Sequence, residues 1–169
     1  MLRKYEVRDK EKFAELFTDT DVIKFMGGQH CETKEVAYRL FEKGFEIYNG
    51  LFPDRHFDIW AIELGGKMIG HFEMKQTNNT IGDELEVVYL LDKSCWGQGL
   101  MQEILIEVNK YASGLGKQLI ATINLENEKT INALRKLKIE KEGWMEDDDG
   151  KVYKIWLEKA GSLQLVVSS

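Results

Sequence analysis

Trp96-Gly97-Gln98-Gly99-Leu100-Met101 stands between two segments of opposite character. Before it, Leu85-Glu86-Val87-Val88-Tyr89-Leu90-Leu91 is almost continuously apolar, the pattern of a strand covered on both faces. After it, Met101, Ile104, Leu105, Val108, Tyr111 and Ala112 recur at three- and four-residue spacing, the clearest helical stripe in the chain. A buried strand that breaks at glycines and opens a helix can hold phosphate. The first-turn amides are unpaired and the helix dipole adds partial positive charge there, while glycine lets the backbone approach an anion without a Cβ in the way. Residues 85–101 are therefore a candidate pyrophosphate site.

Two well-known nucleotide turns fit poorly. A dinucleotide fingerprint needs a third glycine, where this chain has Gln102, and it normally sits in the first strand–helix unit. A Walker turn would end in Gly-Lys-Ser/Thr, which is missing. His30, His56 and His71 are scattered without paired ligand spacing, so no metal site is expected. His71 shares a strand face with Ile69 and Glu73 and reads as structural or substrate-lining rather than as a base. Cys31 and Cys95 are the two cysteines, so no disulfide framework is implied. Cys95 precedes the glycine turn but has no histidine in sequence reach.

The elements that must position this turn can be read from period and punctuation. Residues 2–7 read as a first strand, followed by helices over 9–18, near 20–26 (stopped at Gly27-Gly28) and over 33–48, whose stripe is Val36, Leu40, Phe41, Phe45 and Tyr48. Residues 57–64 and 67–76 are rich in β-formers and joined by Gly65-Gly66, a hairpin signal. The strand at 85–91 and the helix from about 101 follow, with Gly114 and Gly116 ending the helix. Residues 118–124 read as a strand, Asn127 as the cap of a helix over 128–138, and 152–157 as a last strand, with Glu146-Asp147-Asp148-Asp149-Gly150 as a solvated turn. The expected order is β-α-α-β-β-β-α-β-α-β: one domain over 1–159 and a tail over 160–169.

Bulk properties bound the partners. The chain has 169 residues, 23 basic against 29 acidic, and a net charge of −6. An acidic chain without a basic stripe argues against nucleic acid. No apolar run approaches a membrane span, and the N-terminus lacks the apolar core of a signal peptide, so a cytoplasmic protein without membrane contact is expected.

Residues 87–103, from Val87 to Glu103, resemble motif A of the GNAT acetyltransferases, the fourth strand and the Gln/Arg-x-x-Gly-x-Gly/Ala turn that binds acetyl-CoA pyrophosphate. Trp96 falls at the Gln/Arg position, Gly99 at the central glycine and Met101 at the final Gly/Ala. Trp-Gly-x-Gly is similar to the ribosomal-protein N-terminal (Rim-type) branch. Downstream, residues 127–139 resemble the family's Asn-x-x-Ser/Ala…Lys-Leu-Gly-Phe helix, with Lys138-Ile139 replacing Gly-Phe. Residues 60–74, with Gly70 after Ile69, are similar to its second and third strands.

The resemblance implies an α/β (α+β) acyl-CoA N-acyltransferase fold, a twisted mixed sheet of about six or seven strands flanked by helices. It also implies a cofactor site of Trp96, Gly97, Gln98, Gly99, Leu100 and Met101, with pantetheine on the main chain near Leu90 and Leu91 and on Asn127 and Thr130. A backbone amide near Leu90 and Leu91 would stabilise the oxyanion of the thioester carbonyl. Glu86, in an apolar strand beside that point, is the candidate base that takes the proton of an amine acceptor. Thr130 would hydrogen-bond the CoA sulfur, because the tyrosine that many relatives use falls at Leu134.

The expected reaction is transfer of acetyl from acetyl-CoA to a primary amine by direct attack. The acceptor is a peptide N-terminus or a small molecule such as an aminoglycoside or polyamine; residues 22–28 resemble a segment of aminoglycoside 6′-acetyltransferases. An acyl-CoA-binding module without catalysis is the reading from a different class, kept open by Leu134 and Lys138-Ile139. The reading leaves room for a homodimer and sets no oligomeric state.

Overall fold

In the computed structural model, which describes residues 1–26, 30–148 and 150–161, strand β1 (Leu2–Arg3) leads through a 3-10 turn into helices α1 (Lys10–Thr18) and α2 (Lys34–Tyr48). Thr33 starts α2 by accepting a hydrogen bond from the Val36 amide at 3.3 Å. Strands β2 (Phe57–Leu64), β3 (Lys67–Lys75) and β4 (Glu84–Leu91) form a meander, with Gly65 and Gly66 both at positive φ (58° and 78°) in the tight turn between the first two. Helix α3 (Leu100–Gly114), strand β5 (Gln118–Asn124), helix α4 (Glu128–Leu134) and the hairpin β6 (Ile139–Asp147) and β7 (Gly150–Leu157) complete the order.

The seven strands form one sheet in the order β1-β2-β3-β4-β5-β7-β6. Every pairing is antiparallel except β4 with β5, which run parallel. That pairing is short, joining only Glu84, Leu85 and Glu86 to Gln118, Leu119 and Ile120. Beyond it the two strands separate, and the main chain of 87–91 is left without a β5 partner.

Side chains alternate across β4 and enter two different cores, which explains its nearly unbroken apolar sequence. Leu85, Val87 and Leu91 pack with Leu105, Val108 and Ala112 of α3 and with Ile131 and Leu134 of α4. On the opposite face Leu90 packs with Phe13 and Phe17 of α1 and Phe41 of α2. Gly70 sets how closely β3 approaches this strand. A Cβ there would lie 2.5 Å from the Leu90 carbonyl oxygen and 2.9 Å from Ile62 Cδ1, so only glycine fits.

The structure departs from the sequence reading at several elements. The first strand is confined to Leu2–Arg3. Residues 20–26 form turns rather than a helix, with single hydrogen bonds from Ile23 to Asp19 (3.0 Å) and Met26 to Ile23 (2.9 Å) that never propagate. Helix α4 stops at Leu134, where Leu137 N–H turns back onto the Leu134 carbonyl (2.9 Å) and directs the chain into β6. Strand β6 itself was not anticipated. It is an edge strand paired only with β7, and its charged residues Glu140, Lys141, Glu142 and Glu146 are exposed, so it carries no apolar alternation. The expected helix stop at Gly27-Gly28, residue Asp149 of the acidic turn, and most of the 160–169 tail lie outside the described residues.

Candidate active site

The glycine turn is anchored at both ends before any ligand arrives. Asp92, the first residue after β4, accepts hydrogen bonds from the Ser94 amide (2.9 Å), the Ser94 hydroxyl (2.6 Å) and the Lys12 ammonium. Chiefly the Lys12 hydrogen bond, reinforced by those from Ser94, brings the Asp92 carboxyl down to about 2. The Trp96 indole N–H donates to the Leu91 carbonyl at 2.8 Å, and the Gln98 amide to the Ser94 carbonyl at 2.9 Å. Gly97 and Gly99 take left-handed backbone, φ 72° and 76°. Gly99 is the N-cap of α3 and offers no side chain to it, so no side-chain oxygen occupies the first-turn amides of this 15-residue helix. These are the conditions an anion requires.

The turn opens onto the gap between β4 and β5. The Asp92 amide donates to the Ile69 carbonyl (2.8 Å), so by alternation Leu90 and Val88 direct their main chain toward β3. Leu91 and Tyr89 therefore face the gap. The Leu91 carbonyl is taken by Trp96, which leaves the Leu91 N–H and both groups of Tyr89 to meet a ligand. Of the two leucines singled out in the sequence, Leu91 is the one aimed at the gap, while Leu90 contributes its side chain to the α1/α2 core. The Tyr89 phenol is pushed up to about 12 by burial and stays protonated at neutral pH.

Across the gap, Asn127 caps α4 by accepting from the Thr130 amide at 3.3 Å. Thr130 is half-buried in the first turn, and its hydroxyl makes no hydrogen bond among the described residues. The Gln102 amide donates to the Ala133 carbonyl (3.2 Å) and ties α3 to α4. Leu134 is in the core at 1% exposure.

The other face of the sheet carries carboxylates. Glu86 sits at the last paired position of β4 and is 5% exposed. It accepts from the Thr77 hydroxyl at 2.5 Å, from the Asn79 amide at 3.3 and 3.4 Å, and from the Thr122 hydroxyl. All of these donors are neutral. Its neighbours Glu84 and Glu73 have cationic partners instead. Glu84 accepts from Lys154 (2.9 Å) and the Trp156 indole (2.5 Å), and Lys154 also donates to the Asn79 carbonyl at 2.8 Å. Glu73 holds the His71 ring at 2.9 Å and the Lys75 ammonium at 2.5 Å. Burial works against the Glu73 charge, but the His71 hydrogen bond and the charges of His71 and Lys75 outweigh it and bring the carboxyl from 4.5 to about 2. His71, 3% exposed between Glu73 and the Tyr5 hydroxyl, is a buried structural link.

The sequence reading gives Thr77, Asn79, Thr122, Glu84 and Lys154 no site role. Only the parallel register of β5 and the folding of the 76–83 loop onto β4 bring them to Glu86, and no local spacing signals that. Cys95 is buried beside Ser94, Sγ to Oγ 3.7 Å. Among the described residues no group of three or more His, Cys, Asp or Glu is placed to hold a metal ion, and no helix is long and apolar enough to cross a membrane.

The family model for the acetyltransferase (GNAT) domain matches residues 1–140. The chain belongs to the GNAT acetyltransferases. No curated protein matches it closely enough to name as a relative. Among solved structures it is similar to spermidine N-acetyltransferase from Vibrio cholerae in complex with CoA and spermine, with TM-score 0.74, 15% identity, and 94% of this chain and 95% of that one covered. It is equally similar to AAC(6')-Ib in complex with paromomycin and acetyl-CoA (TM-score 0.74, 14% identity, 94% and 93% covered). A third is the Salmonella typhimurium acetyltransferase that modifies the N-terminal serine of ribosomal protein L7/L12, at TM-score 0.71, 15% identity and 92% of each chain. At such identities these structures share the fold, and their acceptors differ. The mixed seven-stranded sheet with its parted β4 and β5 is thus the scaffold of a GNAT N-acetyltransferase.

Proposed function

We propose that this GNAT enzyme binds acetyl-CoA along the gap between β4 and β5 and transfers the acetyl group to a single primary amine, of which a peptide α-amine is the leading case. The observation that carries the reading is that β4 parts from β5 directly after the buried Glu86, while the end of β4 leads to the uncapped N-terminus of α3. Pyrophosphate fits the amides of Leu100 and Met101 beside Gly97, Gln98 and Gly99. Pantetheine fits the free main chain of Tyr89 and Leu91 on one side, with Asn127 and Thr130 on the other.

In this reading the acceptor enters from the Glu86 face. Glu73 and Glu84 are already matched by lysines, and Glu86 is the buried carboxylate whose donors are all neutral. Its charge suits one arriving ammonium. It takes one proton from that ammonium, and the amine lone pair attacks the thioester carbon. The new C–N bond places the oxyanion against the free main chain of β4, at the Tyr89 amide nearer Glu86. The C–S bond then breaks, and the adduct's remaining extra proton passes to the thiolate, with Thr130 near the sulfur as a hydrogen-bond donor. Glu86 returns its proton to solvent. A chain of several ammoniums finds fewer unmatched carboxylates here, which favours a peptide α-amine over a polyamine.

Calorimetric titration with acetyl-CoA, followed by thiol-release assays on serine-initiated peptides, spermidine and an aminoglycoside, tests this. Micromolar acetyl-CoA binding and preferential turnover of the peptides are expected. Absence of binding removes the whole reading, and preference for spermidine removes the acceptor assignment.

A further inference from the structure

We infer that the hydroxyl of Thr122 is the group that meets the acceptor amine, and that it relays the amine proton to Glu86. This rests on the reading of an amine acceptor entering at the Glu86 face. Both carboxylate oxygens of Glu86 are covered: Oε2 by the Thr77 hydroxyl and Oε1 by the Thr122 hydroxyl, with the Asn79 amide lying 3.3 Å from Oε1 and 3.4 Å from Oε2. At 5% exposure, the carboxylate offers an amine no direct approach unless a donor leaves.

The three donors are not equivalent. Asn79 is an amide and cannot pass a proton at neutral pH. Thr77 belongs to the loop, and its oxygen already accepts from the Asn79 main-chain amide at 3.1 Å. Thr122 is on β5, two residues beyond Ile120, the last residue that pairs with β4, and so lies in the part of the strand that borders the gap. Its side chain is on the same face as Glu86, reaching it across the point where the strands part. The only hydrogen bond its oxygen accepts among the described residues is a 3.5 Å contact from Asn79. The oxygen thus donates to the carboxylate while keeping an acceptor position for an N–H.

A hydroxyl arranged this way can transfer a proton without changing its own composition. An N–H bond of the substrate ammonium breaks as its proton joins Thr122 Oγ1, and the original Thr122 proton moves to Glu86 Oε1. The amine is left neutral with its lone pair free, Thr122 is again a hydroxyl, and Glu86 holds the proton it later gives to solvent. No other reactant is needed. Valine at this position would keep the shape and remove the relay.

The test compares Thr122→Val and Thr122→Ser with the wild type, using acetyl-CoA and a serine-initiated peptide with an amidated C-terminus as the probe acceptor. Rates are followed from neutral to alkaline pH, and acetyl-CoA affinity is measured separately by calorimetry. The relay requires kcat/KM of Thr122→Val for the peptide to fall about a hundredfold at neutral pH, with the deficit shrinking as the amine titrates to its neutral form. Serine should restore most of the rate, and acetyl-CoA affinity should stay unchanged in both variants. Near wild-type turnover by Thr122→Val overturns the relay alone. So does a deficit that is constant with pH and not rescued by serine, since that marks a packing role. A wild type that binds acetyl-CoA but leaves the peptide untouched overturns the acceptor reading and the relay with it.

Discussion

The two sides of the gap between β4 and β5 are built on different principles. The side proposed for the acyl donor is made of main chain: two left-handed glycines, an uncapped helix start and the strand amide of Leu91. All of it comes from one contiguous stretch of sequence, and the side chains there mostly hold the backbone still, as Trp96 and Asp92 do. The side proposed for the acceptor is made of side chains drawn from β3, β4, β5, β7 and the 76–83 loop, and they meet only in the folded sheet. On the proposed reading, a cofactor used by a whole family would meet groups that mutation can hardly alter. The acceptor, which differs among the similar structures, would meet residues that can change one at a time.

The largest effect is expected where both sides depend on one contact. Gly70→Val forces a side chain against the Leu90 carbonyl and displaces β4, with a cost of about 3 kcal/mol or more. Thermal melting should fall by roughly 10 °C, with acetyl-CoA binding and turnover lost together. If turnover alone suffered, the common support would be elsewhere. Next is Gly99→Val, where a built Cβ meets no protein atom but the backbone is left-handed at φ 76°. That conformation costs roughly 1–2 kcal/mol, and the methyl groups crowd the anion. Calorimetry should show acetyl-CoA affinity down by about a hundredfold, in a protein that remains folded. A normal affinity would break the main-chain account of the donor side.

Glu86→Gln should do the reverse. It keeps the shape and most donors but removes the charge, so kcat at neutral pH is expected to drop about tenfold to a hundredfold while acetyl-CoA affinity is unchanged. Equal losses in both would erase the distinction between the two sides. The smallest effect concerns acid stability. The Glu73 carboxyl is depressed from 4.5 to about 2 in the folded protein, so the stability it contributes is complete above its ordinary value and is lost as pH falls through the folded one. Unfolding midpoints should therefore decline between those limits, and Glu73→Gln, destabilised at neutral pH, should decline less steeply. A parallel decline in the variant would place the acid sensitivity at other groups, such as Asp92 with its carboxyl also near 2.

How far each part could be read in advance follows from the same contrast. Strands β2 and β5 appear in the sequence with the bounds they have in the fold, because each has an apolar face and clear glycine or turn punctuation. Strand β6 does not, since its place at the sheet edge asks only for main-chain pairing with β7 and leaves its charges in water. Helix α4 was read four residues too long because its apolar spacing continues to Leu137, whereas the chain tightens after Leu134 to enter β6. Leu134, where the family resemblance leads one to expect a tyrosine, is packed into the core. Glu86 was singled out as a carboxylate in an apolar strand; that its oxygens would be covered by Thr77, Asn79 and Thr122 was not visible.

By itself the sequence determined the strand–turn–helix proposed to hold the cofactor: a buried strand, two glycines and a helix start are adjacent residues, and local backbone geometry is enough to leave the first-turn amides uncapped. The tertiary structure alone decided the cluster around Glu86 and the direction of the groups in it. Strand register settles that Leu91 rather than Leu90 faces the gap, because alternation turns each successive amide to the opposite side. The parting of β4 from β5 after Glu86 and Ile120 settles which residues border the gap. Both depend on pairings between segments distant in the chain, such as Ile69 with Asp92 and Glu86 with Thr122, whose partners no local pattern names.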